Sequence, residues 1–229
     1  MRSPGGAPSW RAVTLYGLPN HLGVCEVDGR MLMLDLKRDR YLQLDRASAA
    51  AFRQWRRDPM DLAGVTAAAW LVERGMLVPA ASPQLCGRPP ASAPHRSLAD
   101  SPRPPSRSPL RLLPEVAALL FLTRWRLRRK GLERAVERIR RGRPVRCSSD
   151  PAGALGPFRA ARRLVPVAPN CLTDSLALAS FLSRRSVSWQ LVFGVKLDPF
   201  AAHCWLQDDG AVLNDAADSV STFTPILVI

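Results

Sequence analysis

The sequence has no C-x-x-C pair, no apolar run long enough to cross a bilayer, and no P-loop or dinucleotide motif. Its five cysteines, Cys25, Cys86, Cys147, Cys171 and Cys204, are scattered and odd in number. That argues against a disulfide scaffold and a structural zinc site, and fits a reducing compartment. The longest apolar patch, Val116 to Leu122, is seven residues, where about 20 are needed for a span. The opening stretch MRSPGGAPSWRAVTLYGLP lacks an apolar segment followed by small cleavage-site residues, so no signal peptide and a cytoplasmic setting are expected. Acidic residues are scarce too: 19 Asp and Glu face 33 Lys and Arg, a formal charge of +14. Such a field attracts nucleic acid, anionic lipid or an acidic peptide without choosing among them.

What is present is enough apolar material for a core, at 47% of residues with 23% charged, and an excess of proline, 21 residues against 14 glycines. Eight of those prolines fall within residues 80–109, among Ser, Ala and Arg. Proline removes backbone donors and fixes φ, so this stretch reads as a semi-extended linker, spanning 81–109. It separates a domain over residues 10–80 from one over 110–229.

In the first domain, His21–Val27 and Met31–Leu36 flank an Asp28-Gly29 turn, and Tyr41–Leu44 alternates as a third strand. Asp45 stands where a cap belongs, before a helix carrying Ala49, Phe52 and Trp55, and Asp61 to Gly75 reads as one longer helix or two short ones. Three strands followed by helices is a winged-helix order, and also how a small peptide-clasping domain would look. The second domain opens with a basic region: from Arg111 to Arg146 there are 12 basic residues against Glu115, Glu133 and Glu137. Gly131 is expected to separate its first helix from a second, Leu132–Arg141, with Leu132, Val136 and Ile139 on one face. This region is either a solvated basic face or a docking surface for an acidic partner.

The chemistry concentrates after Pro169. Asn170 caps a helix starting at Cys171 and ending near Arg184-Arg185. A thiol in the first turn faces unpaired N–H groups and the positive end of the dipole, which lowers its pKa. Downstream, Trp189–Val195 reads as a buried strand. His203–Gln207 and Ala211–Asp215 flank Asp208-Asp209-Gly210, expected as a three-residue hairpin loop. That register pairs 207 with 211 and therefore places His203 opposite Asp215. Asp215 would then hold the imidazole's Nδ1–H and leave Nε2 free to take a proton. Cys204, next to His203, points to the other sheet face as core. His95 falls in the linker and His21 before the first strand.

Cys171-Leu-x-x-Ser175-Leu-Ala-Leu, Val192-Phe-Gly-Val195, Ala202-His203-Cys-Trp205 and Val212-Leu213-Asn214-Asp215 together resemble the lasso-peptide maturation proteases, the B proteins of lasso-peptide gene clusters. The intervals of 32 residues from Cys171 to His203 and 12 from His203 to Asp215 match that family's triad spacing. Arg40-Tyr41-Leu-Gln-Leu44-Asp45, leading into an Ala-rich helix with Trp55, resembles the PqqD-like RiPP recognition element, with Asp39 standing where that family has Gly. The implied fold class is α+β: a small winged-helix-like N-terminal domain plus a transglutaminase/papain-like C-terminal domain. The implied activity is cysteine proteolysis by Cys171, His203 and Asp215, separating leader from core. The leader would lie along Tyr41, Leu42, Gln43 and Leu44, beside Val65, Ala69 and Val72. The freed core amine would pass to an asparagine-synthetase-like cyclase that uses ATP; no cofactor or metal is expected on this chain.

Two other classes stay open on the residues alone. The Cys-His-Asp layout could support acyl transfer to an amine or side-chain amide hydrolysis. A nucleic-acid-binding winged helix would need cations along a recognition helix, and VTAAAWLVERG carries only Glu73 and Arg74, so no nucleic-acid partner is expected.

Overall fold

A computed structural model describes residues 15–80, 93–98, 109–144 and 151–229. The chain order begins β1 (Leu15–Gly17), β2 (Leu22–Val27), β3 (Arg30–Asp35), β4 (Arg40–Gln43), α1 (Arg46–Arg57), α2 (Leu62–Glu73), β5 (Val78–Ala80) and β6 (Arg96–Ser97). It continues with α3 (Pro109–Arg141), α4 (Pro151–Leu164), α5 (Cys171–Ser183), β7 (Gln190–Lys196), β8 (Ala201–Asp208), β9 (Ala211–Val212), α6 (Ala217–Ser221) and β10 (Thr224–Val228). The chain forms two compact units, residues 1–19 with 45–85, and residues 20–44 with 86–229. This partition departs from the expected boundary near residue 80. The three strands and the helices expected as one winged-helix-like domain fall in different units.

In the smaller unit, α1 starts at Asp45, whose carboxylate accepts from the Ser48 N–H at 2.8 Å and the Ser48 hydroxyl at 2.9 Å. Those two bonds hold the Asp45 carboxyl below the usual carboxylate range. Ala49, Phe52 and Trp55 recur at helical spacing and are buried, the two rings meeting edge-on at 6.0 Å. Asp61 caps α2, which buries Ala67, Ala68 and Leu71 and stops before Gly75 at φ 68°. Strands β1 and β5 pair antiparallel, a short ladder that the alternation in the sequence did not reveal.

The larger unit contains two sheets. β2, β3 and β4 form an antiparallel meander with β4 at an edge. Its first turn uses Asp28 and Gly29, both with positive φ, and its second uses Asp39 at φ 50°; Asp tolerates this left-handed region better than most side chains. The second sheet runs β10-β7-β8-β9-β6, with α5 packed against it and α3 and α4 against α5. The meander belongs here because β2 crosses β10 at Gly23, where an added Cβ would sit 2.4 Å from the Ile226 carbonyl oxygen. Only a residue without a side chain permits that approach. Leu32, Leu34 and Leu36 thereby share one core with Ile226, Leu227, Leu178, Phe181 and Trp189.

Within residues 81–109, where a linker without ladder bonds was expected, Arg96 and Ser97 pair in parallel with Ala211 and Val212. His95 N–H and Leu98 N–H extend the pairing to the carbonyls of Gly210 and Val212. The remainder of that linker lies mostly outside the described residues. α3 breaks at Gly131 (φ 80°), separating two helices as the sequence suggested, and Leu132, Val136 and Ile139 are buried together. Among the described residues no helix is long and apolar enough to cross a membrane.

Candidate active site

Cys171 is the first residue of α5. Asn170 precedes it in extended backbone and accepts from the Thr173 N–H at 3.0 Å, so the cap fixes where the helix begins. The Cys171 side of the helix start is exposed, whereas Cys25 and Cys204 are buried. The thiol is held below its ordinary pKa chiefly by its hydrogen bond to His203. Burial opposes that shift, while the His203 charge and the N–H groups of Cys204 and Leu172 reinforce it. Burial pushes Cys25 up to about 12 and raises Cys204 further, so only Cys171 of these three is poised as a thiolate. Cys86 and Cys147 lie outside the described residues.

His203 sits near the start of β8, and its Nε2 lies 2.5 Å from Asp215 Oδ2. The expected ring orientation is reversed: Asp215 engages Nε2, which leaves Nδ1 for the thiol. The hydrogen bond to Cys171 is the largest influence raising the His203 pKa, with Asp215 adding to it against burial. A thiol lowered and an imidazole raised by one another is the signature of a thiolate–imidazolium pair.

The hairpin register also differs from expectation. Gln207 pairs with Val212 and Asp208 with Ala211, so the loop is two residues, Asp209 and Gly210, both at positive φ. An Asp-Gly pair satisfies this tight turn, and the three-residue alternative is not needed. By that register 203 would face 216. Asp215 still reaches His203 because the chain leaves the ladder after Val212, with Leu213 N–H bonded to the Leu206 carbonyl and the Asn214 side chain taking the next donor, Leu206 N–H, at 2.8 Å.

Several groups around the three residues had no separate role in the sequence reading. The Ser175 hydroxyl donates to the Cys204 carbonyl at 3.1 Å, and Asn214 Nδ2 donates to Ser175 Oγ at 2.9 Å. Both residues stand inside the motifs quoted above; their bonding to each other needed the fold. Ser97 donates to the Asp215 carbonyl at 2.7 Å from β6, and Ala216 N–H donates to Asp215 Oδ1 at 2.7 Å. Arg162 grips Asp174, in the first turn of α5, at 2.7 Å, and also donates to the Val167 carbonyl at 3.0 Å. The His203 ring stacks on Trp205, with centroids 6.0 Å apart, and tilts against Phe223 at 5.3 Å. Trp205 Nε1 donates to the fully buried Gln207.

The remaining candidates divide between the units. Tyr41, Leu42 and Gln43 lie in β4 with Leu44 just after it, in the unit that holds Cys171. Tyr41 meets Phe200, in the β7–β8 turn, edge-on at 5.7 Å, and Arg30 pairs with Asp198 in the same turn. Burial, and then the fields of Cys204 and Cys171, keep the Tyr41 hydroxyl protonated. Val65, Ala69 and Val72 sit on α2 in the other unit, on the flank of its buried face, with Val65 and Val72 half-buried and Ala69 exposed. No cluster of metal-ligating side chains occurs among the described residues.

A thiol at a helix start, coupled to a histidine on an antiparallel sheet that is itself held by an aspartate, is the layout of papain-like and transglutaminase-like enzymes. Residues 116–228 match the family model of the transglutaminase-like superfamily, and this part of the chain is a transglutaminase-like domain. Over 47 residues the chain is 45% identical to the microcin J25-processing protein McjB of Escherichia coli, a stretch that makes up 20% of this chain and 23% of that protein. The similarity thus spans about a quarter of that relative's length. No solved structure matches the chain.

Proposed function

We propose that this protein is a lasso-peptide leader peptidase: it binds the leader of a ribosomally made precursor and cleaves it from the core by cysteine catalysis. The observation that carries the reading is the His203–Asp215 hydrogen bond beside an exposed Cys171 at the start of α5, where thiol and imidazole shift one another in opposite directions. Similarity to a microcin-processing protein supports a precursor peptide as the substrate class.

In the reaction, Cys171 Sγ attacks the carbonyl carbon of the leader's last residue. His203 gives its proton to the departing core amine, leaving the leader as a thioester. Water then attacks the thioester while His203 accepts its proton, releasing the leader carboxylate and restoring the thiol. Asp215 orients the ring and stabilises its charged form throughout. The N–H of Cys171, at the helix start, is a donor for the developing oxyanion.

Leader binding is assigned to the exposed edge of β4, where an extended peptide adds a strand beside Tyr41, Leu42, Gln43 and Leu44. In the smaller unit, the flank of α2 carrying half-buried Val65 and Val72 and exposed Ala69, which we assign to a PqqD-like element, is a separate candidate for apolar contacts with the leader. The freed core amine is handed to an asparagine-synthetase-like cyclase that uses ATP. Mass spectrometry of a precursor incubated with the protein tests the reading: two fragments summing to the precursor plus one water are expected. An intact precursor that loses ammonia would replace peptide hydrolysis with acyl transfer.

A further inference from the structure

The first half of α3 is anchored by Val116, Leu119 and Leu120, all buried. Its opposite face carries a second apolar stripe at helical spacing, Ala118, Phe121, Leu122 and Trp125, and this one is open to solvent. Phe121, Leu122 and Trp125 are 52%, 42% and 50% exposed. Large apolar side chains gathered on one exposed face mark contact sites rather than ordinary surface.

Next to the stripe, the break at Gly131 opens a cleft of about 1030 Å³ between the two halves of α3 and the end of α5. Seven Lys and Arg side chains line it against two carboxylates. Both carboxylates are engaged: Glu137 by Arg141 at 3.0 Å and Arg140 at 3.4 Å, Glu133 by Lys37 at 3.9 Å. Arg126, Arg134 and Arg138 have no ion pair among the described residues. Partial burial and the like charges of Arg138 and Arg184 weaken the hold of Arg126 on its proton, a penalty an incoming carboxylate would relieve. Arg184 caps the end of α5 opposite Cys171. They stand 13 positions apart along the helix, about 20 Å, so an occupant of the cleft leaves the thiol accessible.

We infer that this face of α3 and its cleft dock a protein partner whose contact region is acidic around an apolar anchor. Trp, Phe and Arg are the side chains that dominate such contacts. The concavity of the cleft favours a protein surface that can enter it over the plane of a bilayer. Within the proposed function the partner is the ATP-dependent cyclase, and the inference rests on that reading to this extent.

The test uses the full chain and a purified asparagine-synthetase-like cyclase from the same organism, with binding measured by calorimetry and leader cleavage measured separately without cyclase. Wild type binds, and more weakly as salt rises. Trp125→Ala, and Arg134→Glu with Arg138→Glu, weaken binding by about 30-fold or more while circular dichroism and cyclase-free cleavage stay as in wild type. Variants that bind the cyclase like wild type overturn the surface. So does a wild type that cleaves precursor but does not bind the cyclase, and in that case the peptidase reading stands. Loss of both in wild type takes down the reading and the surface together. Phosphatidylglycerol vesicles that bind wild type but not Trp125→Ala, with cyclase binding unaffected, would reassign the face to a membrane.

Discussion

Asn214 Nδ2 donates to Ser175 Oγ across 2.9 Å, and this bond latches the helix of the thiol to the segment that carries Asp215. Ser175 lies one turn beyond Cys171, its hydroxyl reaches the Cys204 carbonyl next to His203, and Asn214 precedes Asp215. The latch therefore controls the distance between thiol and imidazole. Asn214→Ala and Ser175→Ala are expected to lower kcat for leader cleavage on the order of 10- to 100-fold with KM little changed, because small misplacements of reacting groups are costly. Ser175→Ala also strands buried polar partners, at about 1–3 kcal/mol in denaturant unfolding. A kcat equal to wild type in both variants would show that the geometry does not depend on the latch.

The pH profile follows from the opposed shifts of Cys171 and His203. The reactive form is thiolate with imidazolium. It disappears on the acid side as Cys171 takes a proton, below the ordinary thiol range because its pKa is lowered. On the alkaline side it disappears as His203 loses its proton, above the ordinary imidazole range because its pKa is raised. Iodoacetamide labelling of Cys171, read peptide by peptide, should persist well below the ordinary thiol pKa, while buried Cys204 and Cys25 stay unlabelled in folded protein. Asp215→Asn removes one contributor to the raised His203 value, so the alkaline limb of the cleavage rate moves to lower pH. An unmoved limb would mean that Asp215 does not support the charged ring.

Gly194 pairs with His203 across β7 and β8, and a Cβ there would meet the Trp205 ring at 2.6 Å and the Phe223 Cβ at 2.9 Å. Both rings flank the imidazole. Gly194→Ala must therefore displace an aromatic wall of the site, costing about 1–3 kcal/mol of stability by overpacking and lowering kcat more than leader affinity. Calorimetric unfolding and a leader titration on the same sample separate the two effects.

Gln43 is the last residue of edge strand β4 and pairs inward with Leu32. Gln43→Pro removes a backbone donor and distorts the edge. Titration of labelled leader into the full chain should lose affinity by tenfold or more, an expected change of about 1.4 kcal/mol, while iodoacetamide reactivity of Cys171 is retained. The full chain is required, because residues 20–44 pack in the unit that holds Cys171 rather than with α1 and α2.

The start of α5 was legible because its signals are local: Asn170 as cap, Cys171 in the first turn, Arg184 and Arg185 at the end. The break at Gly131 was legible for the same reason. The hairpin register was misread by one residue because Asp209 can take a left-handed conformation, which makes a two-residue turn as available as a three-residue one. Asp215 reached His203 regardless, through a departure from the ladder that no alternation pattern encodes. The grouping of β2–β4 depends on Gly23 meeting Ile226, about 200 positions later in sequence, and a contact of that kind leaves no periodicity to read. β6 hid among prolines, since its pairing to β9 depends on the position of that hairpin rather than on its own composition.

The most direct test of the account is leader cleavage by Cys171→Ala, followed by mass spectrometry beside a titration of the same sample with labelled leader. The account predicts no cleavage on any accessible timescale, leader affinity within about twofold of wild type, an unchanged circular dichroism spectrum, and near-normal cleavage by Cys204→Ala. A folded Cys171→Ala protein that still cuts the precursor at the wild-type rate would contradict it.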